Sequence, residues 1–493
     1  MVDECRQGHT RCTAEDVPLL PTMVIDVSTS RIDGKIHLYV PSQEQRADYV
    51  ALSYCWGGPQ KLVTTLANLS DHQRGIGLDH LPRTIKEAVL VTASLGIRYI
   101  WVDALCIVQD DESSKAIEIE NMGKVYGHAT IALLVGSGTS RAVDDGFLNP
   151  YSDISVVPYY SILTELAVPA CLAVGTEVAP PLDMRGWTYQ ERHLASRRFV
   201  FGGPRGVSFT CAEQSSAYVA DAWTRSKDNG ELVARISGDD DDDPSTRWHE
   251  IIKESSFRSL TYHTDRLPAI AGLAQEHVPT PGDVYIAGLW RSQIIDDLMW
   301  KGKFEGVYFR IPISQYRSPG WSWISVVDHV PNRTVGCVTN DLRRRMYAGG
   351  SEENAASYVD HSVQLAQADA EFGRVLSGRI TLRAKTASAR STPGLDLARL
   401  RRGCNYQLTG DEEDQLQLVL MKYASRWSME VAGQVEEGYA ALIVLPGSEG
   451  TTLKRPGTIK RLGVVWDWTS AASPERKQMV DWDDVPYREV TMI

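Results

Sequence analysis

Between residues 22 and 136 the spacing of apolar positions shifts between the period of a strand and that of a helix. The segment TMVIDVSTSRIDGKIHLYV (22–40) alternates around Asp33-Gly34, a dipeptide typical of a hairpin turn. The apolar run YVALSY (49–54) follows, and the glycines after it, Gly57 and Gly58, break a strand. This part of the chain predicts a β-hairpin and then a short buried strand.

The next segment, LPRTIKEAVLVTASLG (81–96), has the period of an amphipathic helix that begins after a proline and ends at Gly96. Its apolar stripe is formed by Ile85, Ala88, Val89, Thr92 and Leu95. The apolar run at 97–107 then predicts a strand.

A second helix is predicted over 112–129, with Ser113 or Ser114 as its N-cap. Its buried stripe would be Ile119, Met122, Val125 and Tyr126. A further strand at 130–136 completes a strand–helix–strand–helix–strand order. Because parallel strands need crossover helices, this order predicts an α/β layered domain.

Beyond residue 140 the pattern is less regular. Residues 184–203 predict a helix followed by a strand, and the acidic stretch 238–244 predicts a solvated loop or a domain boundary. Helical spacing returns at 247–262. From about residue 330 onward strand-like runs dominate, which indicates a β-rich C-terminal part.

Composition and charge narrow the class of protein. The chain has 493 residues and a net charge of −12, which disfavours nucleic-acid and anionic-membrane partners because both attract a basic face. The N-terminus is polar and no apolar run reaches the ~18 residues of a membrane span. The eight cysteines are widely spread, as expected for reduced thiols, so we expect a cytoplasmic protein.

The segment IWVDALCIVQDD (100–111) raises the first candidate for a functional site. Ligands of parallel sheets lie beyond the carboxyl ends of the strands, and Asp103 stands where this strand gives way to a loop. Strand alternation would place Trp101 and Asp103 on one face. The alternative, favoured for an isolated aspartate, is that Asp103 only caps the loop.

The second candidate is Glu118, on the first turns of the predicted helix 112–129. A carboxylate in a partly apolar cleft can have a raised pKa, or can stabilise an oxocarbenium-like transition state in glycosidic cleavage. The simpler alternative is a surface glutamate that pairs with Lys115 along the helix.

Two further groups carry reactive or metal-binding side chains. Cys5, His9 and Cys12 are residue types that bind zinc, but a structural site needs four ligands and no matching pair follows at finger spacing. Cys106 with His128 would make a nucleophile and base only if the fold brought them together.

The segment RGWTYQERHLASR (185–197) gathers polar and aromatic side chains on a predicted helix, among them Arg185, Gln190 and Glu191. Its structural interpretation is an amphipathic helix with Trp187 and Leu194 inward. The common nucleotide, metalloprotease and hydrolase signatures do not occur in usable context.

Several of these motifs, in this order, resemble the fungal heterokaryon incompatibility (HET) domain. They are YVALSYCWGG (49–58), the long segment 81–111, IENMGKVYGHATIAL (119–133) and RGWTYQERHLASRRFVF (185–201). Residues 265–274, 285–300 and 316–326 resemble the region that accompanies this domain in large fungal HET proteins, as do the cysteines and histidine of 5–12. The resemblance covers roughly residues 1–330.

The resemblance implies particular site residues. The family's pattern falls on Ser53, Tyr54, Trp56 and Gly57, on Asp103, Leu105, Cys106, Ile107 and Gln109, and on Glu118. The HET domain is also distantly similar to Toll/interleukin-receptor (TIR) domains, some of which cleave NAD with a glutamate. By that analogy Glu118 would be catalytic, Asp103 and Gln109 would hold ribose hydroxyls, and Tyr54 or Trp56 would stack on a ring, with Ser53 beside them.

We therefore expect an α/β fold with a TIR/flavodoxin-like parallel sheet and flanking helices, followed by a mixed helical region and a β-rich C-terminal part. The expected domains are a lead-in with a hairpin (1–45), the HET domain (46–210), a largely helical HET-associated region (211–330) and a β-rich region (331–493).

The expected function is that of a cell-death effector in fungal nonself recognition, with NAD nucleosidase activity as its candidate chemistry. NAD would be a substrate, and no metal or other cofactor is expected. The alternative is a non-catalytic module that self-associates or binds a signalling partner protein.

Overall fold

The computed structural model folds into two compact units, Met1–Asp241 and Asp242–Ile493. The structure describes residues 1–10, 12, 17–136, 142–148, 155–160, 167–172, 181–203, 206–219, 222–226, 244–300, 302–303, 318–327, 336–337, 351–368, 370–388, 400, 415–427, 435–446, 458–468 and 480–493. The acidic stretch 238–244 lies outside the described residues except for Pro244.

The first unit is built on a large mixed sheet whose centre is parallel. Its strands, with one separate hairpin (β7 and β8), are β1 Val24–Asp26, β2 Lys35–Tyr39, β3 Tyr49–Tyr54, β4 Ile76–Gly77, β5 Tyr99–Trp101, β6 Ile131–Val135, β7 Ser155–Tyr160, β8 Ala167–Leu172, β9 Arg197–Gly203, β10 Gly206–Cys211, β11 Ser215–Val219 and β12 Ala222–Ser226. Among the described residues the sheet order is β12-β11-β10-β9-β6-β3-β5-β1-β2-β4. The neighbours β9-β6-β3-β5 run parallel, and the strands on either side are antiparallel.

Helices and 3-10 turns connect these strands, and some of the helices lie where the apolar periods predict them. They are α1 Val2–Gly8, α2 Leu69–Arg74, α3 Arg83–Ser94, α4 Asp103–Cys106, α5 Glu112–His128 and α6 Thr188–Leu194, with 3-10 turns at Leu78–His80 and Pro181–Met184. In α3 the predicted stripe is buried apart from Leu95, which lies just beyond the helix end. The α/β architecture expected from the sequence is therefore confirmed.

The strand predicted over 97–107 is wrong beyond residue 101. The chain turns into the short helix α4 at Asp103, whose carboxylate accepts a hydrogen bond from the Ala104 amide (2.7 Å). The amide of Cys106 donates to the carbonyl of Val102 (2.8 Å), which closes the turn. The residues around Asp103 are apolar enough for either structure, so apolar content alone did not separate strand from helix. Because β5 ends at Trp101 and Asp103 begins α4, strand alternation does not place these two side chains on one face.

The start and inner face of α5 also differ from the prediction. The N-cap is Asp111, whose carboxylate accepts from the amides of Ser113 and Ser114 (both 3.2 Å), so neither serine is the cap. Glu118 is only 2% exposed, which overturns its interpretation as a surface glutamate. Its neighbour Ile117, by contrast, is 56% exposed.

The second unit combines a helical part with a sheet, as the sequence indicates. Its helices are α7 Pro244–Ser256, α8 Ala271–Glu276, α9 Ile294–Asp297 and α10 Ile324–Val327, with 3-10 turns at His263–Asp265, Pro268–Ile270 and Arg291–Gln293. Its strands are β13 Tyr285–Ile286, β14 Leu289–Trp290, β15 Gly302–Lys303, β16 Gly336–Cys337, β17 Ser351–Asn354, β18 Ser357–Leu365, β19 Val375–Ser388, β20 Gln417–Trp427, β21 Val435–Pro446, β22 Thr458–Trp468 and β23 Tyr487–Met492.

Within the described part of this unit, the strands β17 to β23 form one sheet in the order β17-β20-β21-β22-β23-β19-β18. Because β19 also pairs with β20, the five strands β19 to β23 close on themselves as a small barrel. The β-rich C-terminal part is thereby confirmed. None of the described helices has the length and apolar character needed to cross a bilayer.

Candidate functional site

A group of polar side chains gathers where the central parallel strands end. β3 ends at Tyr54 and β5 at Trp101, so the residues after them leave the sheet at the same edge. Just beyond these ends, the indole Nε1 of Trp56 donates to Oδ2 of Asp103 (2.8 Å). The carboxyl ends of parallel strands are the usual ligand-binding edge of an α/β sheet.

The segment around α6 adds two charged side chains to this edge. Arg185, ahead of the helix, donates through Nη1 to the backbone carbonyl of Tyr54. Glu191, inside α6, accepts a hydrogen bond at Oε2 from the Ser53 hydroxyl. We call the group Ser53, Tyr54, Trp56, Asp103, Arg185 and Glu191 the Asp103–Glu191 site. α5 supports it from behind, because the Tyr126 hydroxyl donates to the carbonyl of Leu52 (2.9 Å).

The two carboxyl groups of this site are both harder to ionise than ordinary ones. Burial raises the pKa of Glu191 to about 7, against the opposing effects of the Arg185 charge and the Ser53 hydrogen bond. Burial also raises the pKa of Asp103, while Arg185 and the Trp56 indole act in the opposite direction. Arg185 is thus the positively charged neighbour of both carboxyl groups. Ionisation of one carboxyl group makes ionisation of the other less favourable.

Exposure divides the site into an outer and an inner layer. Trp56, Asp103 and Arg185 are partly exposed. Behind them Ser53, Tyr54 and Glu191 are buried, at 1%, 2% and 6% exposure. A ligand at this edge would meet the indole, the Asp103 carboxyl and the guanidinium first, with the Glu191 carboxyl beneath them.

Tyr54 and Gln109 are less available to a ligand than the sequence suggested. Burial, followed by the nearby Asp103 carboxylate, raises the pKa of Tyr54 well above its ordinary value. The side-chain amide of Gln109 donates to the backbone carbonyls of Asp103 and Ile107 (both 3.2 Å). It therefore holds the turn that carries Asp103, and its role toward a ribose stays a prediction.

Glu118, the predicted catalytic residue, has different neighbours. Burial raises its pKa, and a hydrogen bond from Thr22 opposes that shift. The Cys106 thiol, fully buried, has its pKa raised by burial and further by the charges of Glu118 and Asp103. The structure thus gathers Ser53, Tyr54, Trp56 and Asp103 with Arg185 and Glu191, whereas Glu118 is held by Thr22.

Arg185 and Glu191 were noticed in the sequence as part of a polar helix but not assigned to the site. The sequence could not assign them because the hydrogen bond between Ser53 and Glu191 joins residues that are 138 positions apart in the chain. One local signal was present: Thr188 and Glu191 are spaced for one face of a helix, and both are buried.

The match to a known family falls on this site. Residues 49–191 match the family model described as Heterokaryon incompatibility protein (HET). The matched span begins at the first residue of β3 and ends at Glu191, so it contains the whole Asp103–Glu191 site. No curated protein and no solved structure matches the chain significantly.

Proposed function

We propose that the chain is a cell-death effector of fungal nonself recognition, because residues 49–191 match the heterokaryon incompatibility (HET) family model, which supports a function related to heterokaryon incompatibility. We further propose that the Asp103–Glu191 site hydrolyses the nicotinamide–ribose bond of NAD. Water would replace nicotinamide at the ribose carbon, giving nicotinamide, ADP-ribose and a proton. Loss of NAD would then account for cell death.

The observation that carries the proposal is the buried Glu191 carboxyl beneath a partly exposed Asp103. Departure of nicotinamide leaves positive charge on the ribose, and a carboxylate in a water-poor setting stabilises such a charge strongly. A pKa of about 7 keeps Glu191 ionised in part of the molecules at neutral pH. The TIR analogy, which assigns NAD cleavage to a glutamate, supports the same chemistry.

The outer residues suit the remaining parts of the substrate. The Arg185 guanidinium would pair with the pyrophosphate, a geometry for which arginine is well adapted. Asp103 would accept hydrogen bonds from ribose hydroxyls. The partly exposed indole of Trp56 would stack on a ring, a role for which Tyr54 is too deeply buried.

The assignment of the catalytic carboxylate lies between Glu191 and Glu118, both buried and both with a raised pKa. Glu191 is favoured because it shares Arg185 with Asp103, and the guanidinium provides a partner for a bound phosphate. Glu118 has the support of the family resemblance. The two assignments make different predictions for single substitutions.

We expect the purified full chain to release nicotinamide from NAD, either in dilute solution or when forced to oligomerise by a fused assembly domain. Glu191→Gln should lower the rate by at least about 100-fold, and Asp103→Asn should raise KM. Glu112→Gln, an exposed change at the start of α5, serves as the control. If Glu118→Gln abolishes release while Glu191→Gln does not, the catalytic role passes to Glu118.

The pH dependence offers an independent check. Because Glu191 must be ionised to stabilise the ribosyl cation, kcat should rise as pH increases through about 7 and then level off. A rate that stays flat from mildly acidic to mildly alkaline pH would contradict the role of Glu191. Absence of nicotinamide release in both the dilute and the assembled state would overturn the NAD proposal and favour a non-catalytic interaction module.

A further inference from the structure

Four metal-binding side chains meet at the start of the chain and the end of β10. Cys5 lies in α1, His9 and Cys12 follow it, and Cys211 is the last residue of β10. One potential ligand atom from each lies within 4.8 Å of all the others. We propose that these four residues bind one Zn²⁺ ion as a closed structural site with three thiolate ligands and one imidazole ligand.

The geometry fits a tetrahedral ion. With zinc–sulfur bonds of about 2.3 Å, the sulfur atoms of a tetrahedral site stand roughly 3.8 Å apart. The Cys211 sulfur and Nδ1 of His9 are already 3.4 Å apart, so small side-chain rotations would complete the tetrahedron. The three cysteines are buried, and their thiols are free rather than joined in a disulfide. A four-ligand set without a water position is typical of structural zinc, not of catalytic zinc.

Cys211 supplies the fourth ligand. In the sequence only three candidates were recognised, Cys5, His9 and Cys12, and a structural zinc site needs four. The loop from α1 places Cys5, His9 and Cys12 close together, with the Cys12 amide donating to the carbonyl of His9 (3.4 Å). Cys211 is brought to them by the β9–β10 hairpin, in which it stands opposite Arg197. No spacing rule could have found it, since His9 and Cys211 are 202 residues apart.

A buried arginine beside the cluster supports the presence of a metal. Arg197 is 2% exposed and donates through Nη2 to the backbone carbonyl of Cys12, while its Nε has no hydrogen-bond partner among the described residues. A buried cation needs a compensating negative charge. Zn²⁺ with three thiolates and a neutral imidazole carries one net negative charge, so the loaded site would supply it.

The affinity of the proposed site for zinc should depend on pH, because the ion replaces protons on its ligands. Cysteine thiols ordinarily hold their protons at neutral pH, whereas a zinc ligand must be a thiolate. Binding of Zn²⁺ to three thiols and a neutral imidazole releases three protons. The affinity should therefore fall steeply as pH decreases, and the ion should be lost in mild acid.

The position of the site suggests what it does for the fold. Cys5, His9 and Cys12 precede the HET match at 49–191, and Cys211 follows it. A metal here would join the two flanks of the domain and fix α1 against the sheet. The Arg6–Asp48 ion pair (2.9 Å) attaches α1 to the start of β3 as well, but it is partly exposed and contributes little.

The test uses the full chain, expressed with zinc in the medium and purified without chelator. We expect about one zinc ion per chain by elemental mass spectrometry. After exchange with Co²⁺, we expect the visible d–d bands of tetrahedral cobalt and a thiolate charge-transfer band. Zinc far below one equivalent together with no tetrahedral cobalt spectrum would overturn the proposal, and so would a disulfide between any two of the three cysteines.

Variants separate binding from folding. His9 is only partly exposed at the edge of the cluster, so His9→Ala should fold yet bind zinc at least about tenfold more weakly. His9→Cys should retain zinc and strengthen the thiolate-to-cobalt band, because the site would then have four thiolate ligands. Cys55→Ser removes a buried thiol outside the cluster and should leave the zinc content unchanged. Unaltered zinc content in His9→Ala and Cys211→Ser would place the ion elsewhere and refute the assignment.

Discussion

At the scale of single residues, Glu191 is the clearest case of a side chain kept at a cost to stability. Its pKa rises from an ordinary 4.5 to about 7, so between those values the folded chain holds a proton that the unfolded chain has lost. The free energy of unfolding therefore decreases as pH rises through this window, by on the order of 3 kcal/mol, and levels off above it.

Glu191→Gln should remove this contribution. The amide keeps a partner for the Ser53 hydroxyl but never ionises, so the variant should match the wild type in mild acid and melt higher in mild alkali, by roughly 6–12 °C. Thermal melts at one pH below and one pH above the Glu191 transition measure the difference. A variant less stable than the wild type at the higher pH would show that the Arg185 pairing outweighs the cost of burial.

At the scale of elements, the start of α5 depends on one carboxylate. Asp111 accepts from two backbone amides that have no partner within the helix, so Asp111→Ala should destabilise the first unit by about 1 kcal/mol. Ser113→Ala, at an exposed position, should change stability by less than about 0.5 kcal/mol. Urea denaturation followed by circular dichroism distinguishes them, and equal losses in both variants would argue against the cap.

The elements also show how far the sequence could go. Helices α3 and α5 and the strand β3 were predicted because their apolar spacing is a local property that survives in the fold. The helix α4 was missed because it lies within a run that is largely apolar, where no period separates helix from strand. A local sign is Asp103 at the first position of α4, whose carboxylate accepts a hydrogen bond from the Ala104 amide.

The candidate site was predicted in part, for a related physical reason. Asp103 was proposed because it follows a strand of the parallel core within two residues, whereas Trp56 came from the family resemblance, and the two side chains are hydrogen-bonded. Glu191 and Cys211 were not assigned, because each joins its partners only through contacts between distant parts of the chain. Such contacts leave no period in the sequence.

At the scale of the whole molecule, each unit has buried polar interactions of its own. In the second unit, Nε2 of His249 lies 2.7 Å from Oδ1 of Asp297, and the other oxygen of Asp297 accepts from the Trp290 amide (2.7 Å). Both side chains are almost fully buried. In the first unit, the proposed zinc site would likewise hold together segments that are distant in the sequence. Its four ligands are Cys5, His9, Cys12 and Cys211.

These two groups make the independence of the units testable by calorimetry on the full chain. Asp297→Ala leaves His249 and the Trp290 amide without their acceptor in a buried setting, so it should cost about 3–5 kcal/mol and lower one thermal transition. Asp297→Asn, which keeps an acceptor oxygen, should lower it less. Removal of zinc by a chelator should lower the other transition, because the four ligands belong to residues of Met1–Asp241. If either change moved both thermal transitions together, the two units would unfold as one cooperative body.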